Sequence, residues 1–217
     1  MALVLVTIPA RSLASEERRR TLTVTGEAIE RIPTTITAVR LGVEIQGETA
    51  DVQQQVAQRT TAVVELLRSR AVEQLQTSGI RLQPRYDREN NQPTGYVASN
   101  IVSFRADTEQ VGTIIDEAIQ AGATRIDGVS FTATEAAMTA AQRQALAQAV
   151  ADAQQQAQAV LEALNLTSQE IISIQVNGAN APGPRLLEAE SLARDVSTPV
   201  IGGEQEVRAS VTLQVSY

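Results

Sequence analysis

The sequence predicts an α+β domain in which antiparallel strand pairs pack with three helices, in the order ββαββαβαββ. Three observations predict it: stretches of strict apolar–polar alternation, separate stretches of helical spacing, and Pro- or Gly-bearing tracts between them. The clearest alternation closes the chain. There Val207, Ala209, Val211, Leu213, Val215 and Tyr217 interleave with Glu206, Arg208, Ser210, Thr212, Gln214 and Ser216.

From the start, residues 21–30 and 34–46 read as two strands separated by a turn at Ile32-Pro33. In the second, Val39, Leu41, Val43 and Ile45 face one way and Arg40, Gly42, Glu44 and Gln46 the other, the pattern of a half-solvated antiparallel strand. A helix is predicted over about residues 50–77, N-capped by Thr49 and closed by Ser78-Gly79. Val52, Val56, Val63, Leu67 and Leu75 form its apolar stripe. Strands over 80–87 and 96–106 follow, joined by the polar tract 88–95 as a hairpin. Tyr96, Ala98, Asn100, Val102 and Phe104 share a face of the second.

Asp107-Thr108 caps a shorter helix over about 109–121, with Val111, Ile114, Ile115, Ala118 and Ile119 on its buried side and Gly122 at its end. Residues 125–134 make a fifth strand. The longest helix spans 135–165, rich in Ala and Gln. Leu146, Val150, Ala153, Ala157, Val160 and Leu164 step by four and three along it, a heptad-like stripe of small residues. One face of a globular core, packed closely on a sheet or another helix, is favoured over a rod-like dimer. A sixth strand over 171–176 precedes an irregular stretch, 177–199, with a short helical segment at 186–194. The terminal strand covers 206–217.

Composition removes much familiar chemistry. The chain has 217 residues, with 25 acidic side chains against 18 basic ones and a net charge of −7. Every basic residue is arginine, because lysine, histidine and cysteine do not occur. A Ser-His-Asp triad, a thiol nucleophile, a Schiff-base lysine and a His/Cys zinc site are therefore excluded. The acidic balance argues against nucleic acid and against a polybasic membrane patch. Arg18-Arg19-Arg20 follows Glu16-Glu17 and reads as a self-neutralising surface patch.

Residues 1–8 are apolar, Pro9 breaks the run, and Ser12-Leu13-Ala14 fits the small-x-small pattern of a secretory cleavage site. We read residues 1–14 as the remnant of a signal peptide, with Met1 inside its apolar part, and 15–217 as a single domain. The alternative is a frayed N-terminal strand of a cytoplasmic protein. The run falls far short of the roughly 20 residues that span a bilayer, so no stable membrane span is expected.

Asp116-Glu117 and Asp107/Glu109 are the obvious carboxylate pairs. Lying on or beside one short helix, they fit capping and helix-dipole chemistry better than two catalytic groups facing each other across a cleft. The glycines near 178–183 and at 202–203 match no phosphate-binding loop and read as turns. Tyr86, Tyr96 and Phe104 share a hairpin with few interleaved arginines, so base stacking is not expected. No catalytic, cofactor-binding or metal-ligating residue is assigned, and no cofactor is expected.

A set of short motifs stands in one order along the chain: Thr23-Val24-Thr25-Gly26-Glu27, then Leu41-Gly42-Val43 with Gly47-Glu48-Thr49-Ala50, then Gly79-Ile80 followed by Tyr86. Next come Gly95-Tyr96-Val97-Ala98-Ser99-Asn100, Ala121-Gly122-Ala123 with Gly128-Val129-Ser130-Phe131, and Gly203-Glu204 before the last strand. Together they resemble the SIMPL domain family (DUF541), which includes bacterial periplasmic immunogenic and oxidative-stress-defence proteins. The likeness covers nearly all of 20–217. It departs after Phe131, where an A-R-x-x-A pattern stands shifted as Ala141-Gln142-Arg143-Gln144-Ala145. The resemblance implies an exported, non-enzymatic domain of the periplasm or cell envelope that self-assembles and brings no catalytic residues. The expected partners are further copies of the chain, as a homo-oligomer, and an envelope protein. Two other readings stand beside it: a small-ligand or peptide-binding module using 177–199, and a carboxylate-based hydrolase.

Overall fold

A computed structural model describes residues 20–87, 92–180, 186–187 and 198–217. The signal-like segment 1–14, Arg18-Arg19, residues 88–91 of the 88–95 loop and most of the segment 186–194 lie outside the described residues. Among those described, three helices and two antiparallel sheets follow the expected order, with one added two-residue strand: β1 Thr21–Pro33, β2 Ile36–Gly47, α1 Val52–Ser69, β3 Glu73–Tyr86, β4 Pro93–Asp107, α2 Thr108–Gln120, β5 Arg125–Thr132, α3 Glu135–Ala163, β6 Ile171–Asn180, β7 Leu186–Leu187 and β8 Glu204–Ser216.

Each sheet buries one face under helices. The order β1-β8-β6 makes a three-stranded sheet, and β3-β4-β2-β5-β7 a five-stranded one. On the larger sheet Val39, Leu41, Val43, Ala98, Val102 and Phe104 meet Val56, Val63 and Leu67 of α1 and Val111, Ile114 and Ile115 of α2. On the smaller one Val207, Ala209, Val211, Leu213 and Val215 of β8 meet an alanine row of α3. The alternation read in β2, β4 and β8 is therefore the real division between core and outer face.

Several boundaries differ from the expectation. The first two strands do not form a hairpin: β1 pairs with β8 from Thr21 opposite Ser216 to Pro33 opposite Glu204. The second, β2, instead lies between β4 and β5. The chain changes sheets at Thr34-Thr35, and this corner is locked. The Thr34 hydroxyl donates to the Gly203 carbonyl at 2.8 Å and accepts from the Gly203 N–H at 2.8 Å. The Thr108 N–H donates to the Thr35 carbonyl at 2.9 Å.

The first helix stops at Ser69, not near Thr77. Ala71 and Gln74 take left-handed φ values of 50° each, and the residues assigned to the last helical turns become the start of β3. Gly79 thus lies opposite Ile101 in the sheet and closes no helix. The N-cap of α1 is Asp51, not Thr49, whose hydroxyl donates instead to Asp51 Oδ2 at 3.2 Å. In α2 the predicted buried face holds except for Ile119, which is exposed.

The stripe of α3 also shifts. Ala141, Ala145, Ala149, Ala153, Ala157 and Leu161 are buried, stepping by four. Leu146 and Val150 are half-buried on the flank, while Val160 and Leu164 are exposed. Gly26 on β1 explains the choice of face. A Cβ added there would stand 2.2 Å from the Ala149 carbonyl oxygen and 2.3 Å from the Ala153 nitrogen. The helix backbone rests directly on the sheet, and only its alanine face is low enough to do so.

Candidate functional site

An antiparallel sheet has two edges, and each presents unpaired backbone N–H and C=O groups to other chains. The edges here are treated differently. In the three-stranded sheet β1 carries Glu27, Glu30, Arg31 and Pro33, and α3 reaches over it: the Glu27 N–H donates to Asp152 Oδ2 at 2.9 Å. Gln148 Nε2 donates to Glu30 at 3.3 Å on the same side. Glu206, opposite Arg31, accepts from both Arg31 and Arg208. Those two guanidiniums, Arg208 first, hold its carboxyl below the usual carboxylate range. In the five-stranded sheet β3 carries Glu73, Arg81, Pro84 and Arg85. Charge and proline are the ordinary means of discouraging edge pairing.

Strand β6 has neither. Its ten residues, from Ile171 to Asn180, include no charged side chain and no proline. Among the described residues its only strand partner is β8. Four large apolar side chains lie open along it: Ile171 at 42%, Ile172 at 42%, Ile174 at 61% and Val176 at 59% of full exposure. Opposite Ile174 and Val176 stand Leu213 and Val211, which are covered by α3. The apolar surface of the smaller core thus runs out past the helix onto an open edge.

A family model described as SIMPL, a protein of unknown function (DUF541), matches residues 22–215. The chain belongs to the SIMPL family. No curated protein matches it. The match spans both sheets of the SIMPL fold, so the family likeness read from scattered motifs extends to the whole described architecture. Two of those motifs meet in space. Gly95 has φ 141°, and a Cβ there would stand 2.3 Å from the Gly47 carbonyl oxygen. The start of one motif is therefore packed on the start of the other, at a place where a side chain has no room.

The carboxylates singled out in the sequence hold structure together in this SIMPL domain. Asp116 accepts from the Thr198 N–H at 2.9 Å and from its hydroxyl at 2.7 Å, tying the returning chain to α2. Glu117 takes a bidentate bond from Arg70, with one arm at 2.7 Å, linking α2 to the end of α1. Asp107 is the N-cap of α2 without a side-chain capping bond, and Glu109 lies in its first turn. Neighbouring carboxylates on one helix are thus turned to different partners. Among the described residues no group of three or more acidic residues is placed to hold a metal ion. No helix among them is long and apolar enough to cross a membrane.

The β6 edge was only partly visible beforehand. The sequence predicts a strand over 171–176 and an irregular stretch from Asn177, whereas β6 continues to Asn180. The signal that marks the edge is the lack of charge: Ile172, Ile174 and Val176 alternate with Ser173 and Gln175 only, where an edge strand is usually guarded by charge or proline.

Proposed function

We propose that this SIMPL protein acts by self-association through β6, outside the cytosol, as part of envelope or stress physiology, and without making or breaking covalent bonds. The observation that carries the reading is the uncharged, apolar, open edge of β6. Two copies brought together there by a two-fold axis would pair β6 antiparallel to β6 and extend each three-stranded sheet into one of six. Each copy carries a net charge of −7, so association through a charged face would meet repulsion. Association through β6 places no like charges opposite each other and removes the four apolar side chains from water.

Analytical ultracentrifugation at micromolar concentration tests it. The parent protein is expected to sediment as an oligomer, and Ile174→Lys with Val176→Lys to shift it to monomer with its thermal melt unchanged. A parent protein that is monomeric throughout, or a double variant that still assembles, rejects the proposal. A second reading, peptide capture by 177–199, draws on the same strand, since Asn177–Asn180 belong to β6. It predicts that deleting 181–197 abolishes partner binding while self-association persists.

Export rests on the signal-like start together with the family's periplasmic members. The mass of the protein recovered from fractionated cells is expected to match cleavage after Ala14, in the envelope fraction. An uncleaved chain in the soluble interior contradicts it.

A further inference from the structure

The outer face of the five-stranded sheet, opposite α1 and α2, carries a second feature that self-association does not use. Two cross-strand rows set it out. In one, Gln76, Ser103, Arg40 and Gly128 lie side by side on β3, β4, β2 and β5; in the next, Arg105, Ala38 and Ser130 do so on β4, β2 and β5. Arg40 and Arg105 are therefore diagonal neighbours on adjacent strands. Between and beside them stand only small side chains, which leave a hollow of about 260 Å³. Its floor is Ala38, Ser103, Gly128 and Ser130, and its rim is the two arginines with Gln74 and Gln76.

Four observations make this hollow unusual. No acidic residue lines it. Arg31, Arg70, Arg125 and Arg208 each engage a carboxylate, whereas among the described residues the guanidiniums of Arg40 and Arg105, like those of the exposed Arg59, Arg68, Arg81 and Arg143, make no hydrogen bond or ion pair. Glu73 lies across from Arg105 in register and borders an adjoining cleft of about 770 Å³, yet forms no ion pair with it. Finally, Gln74 at the rim holds a left-handed φ of 50°, at a bulge that interrupts β3 between Glu73 and Gln76. A non-glycine residue in that region costs energy and is kept where surrounding structure demands it, commonly beside a ligand.

Like charges placed as diagonal neighbours on adjacent strands repel, and a guanidinium cannot relieve this by losing its proton. The chain is acidic overall, but the carboxylate nearest in register, Glu73, borders the adjoining cleft and pairs with neither arginine, and no acidic side chain lines the hollow itself. An anion shared by the two forks would supply it, with the Ser103 and Ser130 hydroxyls and the glutamine amides as further donors.

We propose that this hollow binds a small oxyanion, the shared chemistry of a phosphate group and a dicarboxylate, between Arg40 and Arg105. The site lies on the opposite sheet from β6 and stands whether or not the protein self-associates.

Isothermal titration of the full chain with inorganic phosphate and, separately, with succinate tests it at low ionic strength. Binding of one or both is expected, weakened at least about tenfold in Arg105→Ala and in Arg40→Ala. Arg143→Ala, an exposed arginine on α3, is expected to leave it unchanged. Phosphate preferred over succinate identifies a phosphorylated ligand, and the reverse order a carboxylate ligand. Arg105→Lys, which keeps the charge but loses the fork, is expected to fall between parent and alanine variant and covers the case of an Arg105→Ala chain that fails to fold. Absence of binding of both anions at about 10 mM, or affinity equal in the parent and in the Arg40 and Arg105 variants, overturns the proposal. The Ile174→Lys/Val176→Lys protein should bind as the parent does, which separates failure here from failure of the β6 interface.

Discussion

Gly26→Val is expected to lower the melting temperature of this SIMPL domain by roughly 6–12 °C. The atoms nearest an added Cβ are the Ala149 carbonyl oxygen at 2.2 Å and the Ala153 nitrogen at 2.3 Å, with Ala153 Cβ at 2.8 Å. The two closest are helix backbone, which cannot rotate out of the way. To admit the side chain, α3 must lift from β1 and β8 and uncover its alanine row. Overpacking typically costs about 1–3 kcal/mol, and a clash with helix backbone puts this one at the upper end, about 3 kcal/mol; in a chain of this length each kcal/mol moves the midpoint by about 2–4 °C. Thermal unfolding followed by circular dichroism measures it. Ala153→Gly added to Gly26→Val should not restore the loss, because it removes only the third-nearest atom. A melt indistinguishable from the parent's would mean that the helix does not rest on the sheet at Gly26.

Phe104→Ala carries the second large effect, in the other core. Phe104 is fully buried on β4 among Val39, Val102, Val111 and Ile115. Truncation removes the largest side chain of that cluster and leaves a cavity that the two helices above cannot fully close. The expected loss is about 3–5 kcal/mol, a fall of roughly 6–20 °C in the same melt. Phe104→Leu, which keeps most of the volume, should recover the greater part of it. The two cores share a corner in which Thr34 and Gly203 bond reciprocally and Thr37 meets Thr108 through their hydroxyls at 2.9 Å. The parent and both variants are therefore each expected to melt in one transition.

Much of the fold was legible because burial on one face leaves a period in the sequence. Strands β2, β4 and β8 alternate, and the structure buries most of the side chains that alternation selects, with Ile45, Tyr96, Asn100 and Tyr217 half-buried at the margins. The end of α2 was legible for a different reason. Gly122 adopts a φ of 123° that other residues resist, so its presence marks a stop. The end of α1 had no such mark. The left-handed turns at Ala71 and Gln74 are made by residues with no preference for them, and Leu75 falls at helical spacing from Leu67 while belonging to β3.

The stripe of α3 was ambiguous in the same sense. Alanine occupies every side of that helix, so the larger residues Leu146, Val150, Val160 and Leu164 suggested one face. The close approach at Gly26 selected another. The pairing of β1 with β8, nearly two hundred residues apart along the chain, could not be read from either strand, since neighbours in sequence are the usual partners. The candidate sites were hidden for this reason too. Arg40 and Arg105 are ordinary outward residues of two strands until register sets them diagonally around a hollow, and an apolar β6 is an ordinary core strand until its place at the edge leaves it open.

Period, charge inventory and the ordered motifs are properties of the chain itself, and they sufficed for the fold class, the SIMPL family and the absence of histidine, cysteine and lysine chemistry. Which strands are edges, which helix face is buried and which side chains become neighbours depend on contacts between distant segments. Local sequence carries no term for those contacts. They are decided by tertiary pairing: β1 pairing with β8 leaves β6 at an open edge, and the register of β2 on β4 sets the arginine pair on the outer face.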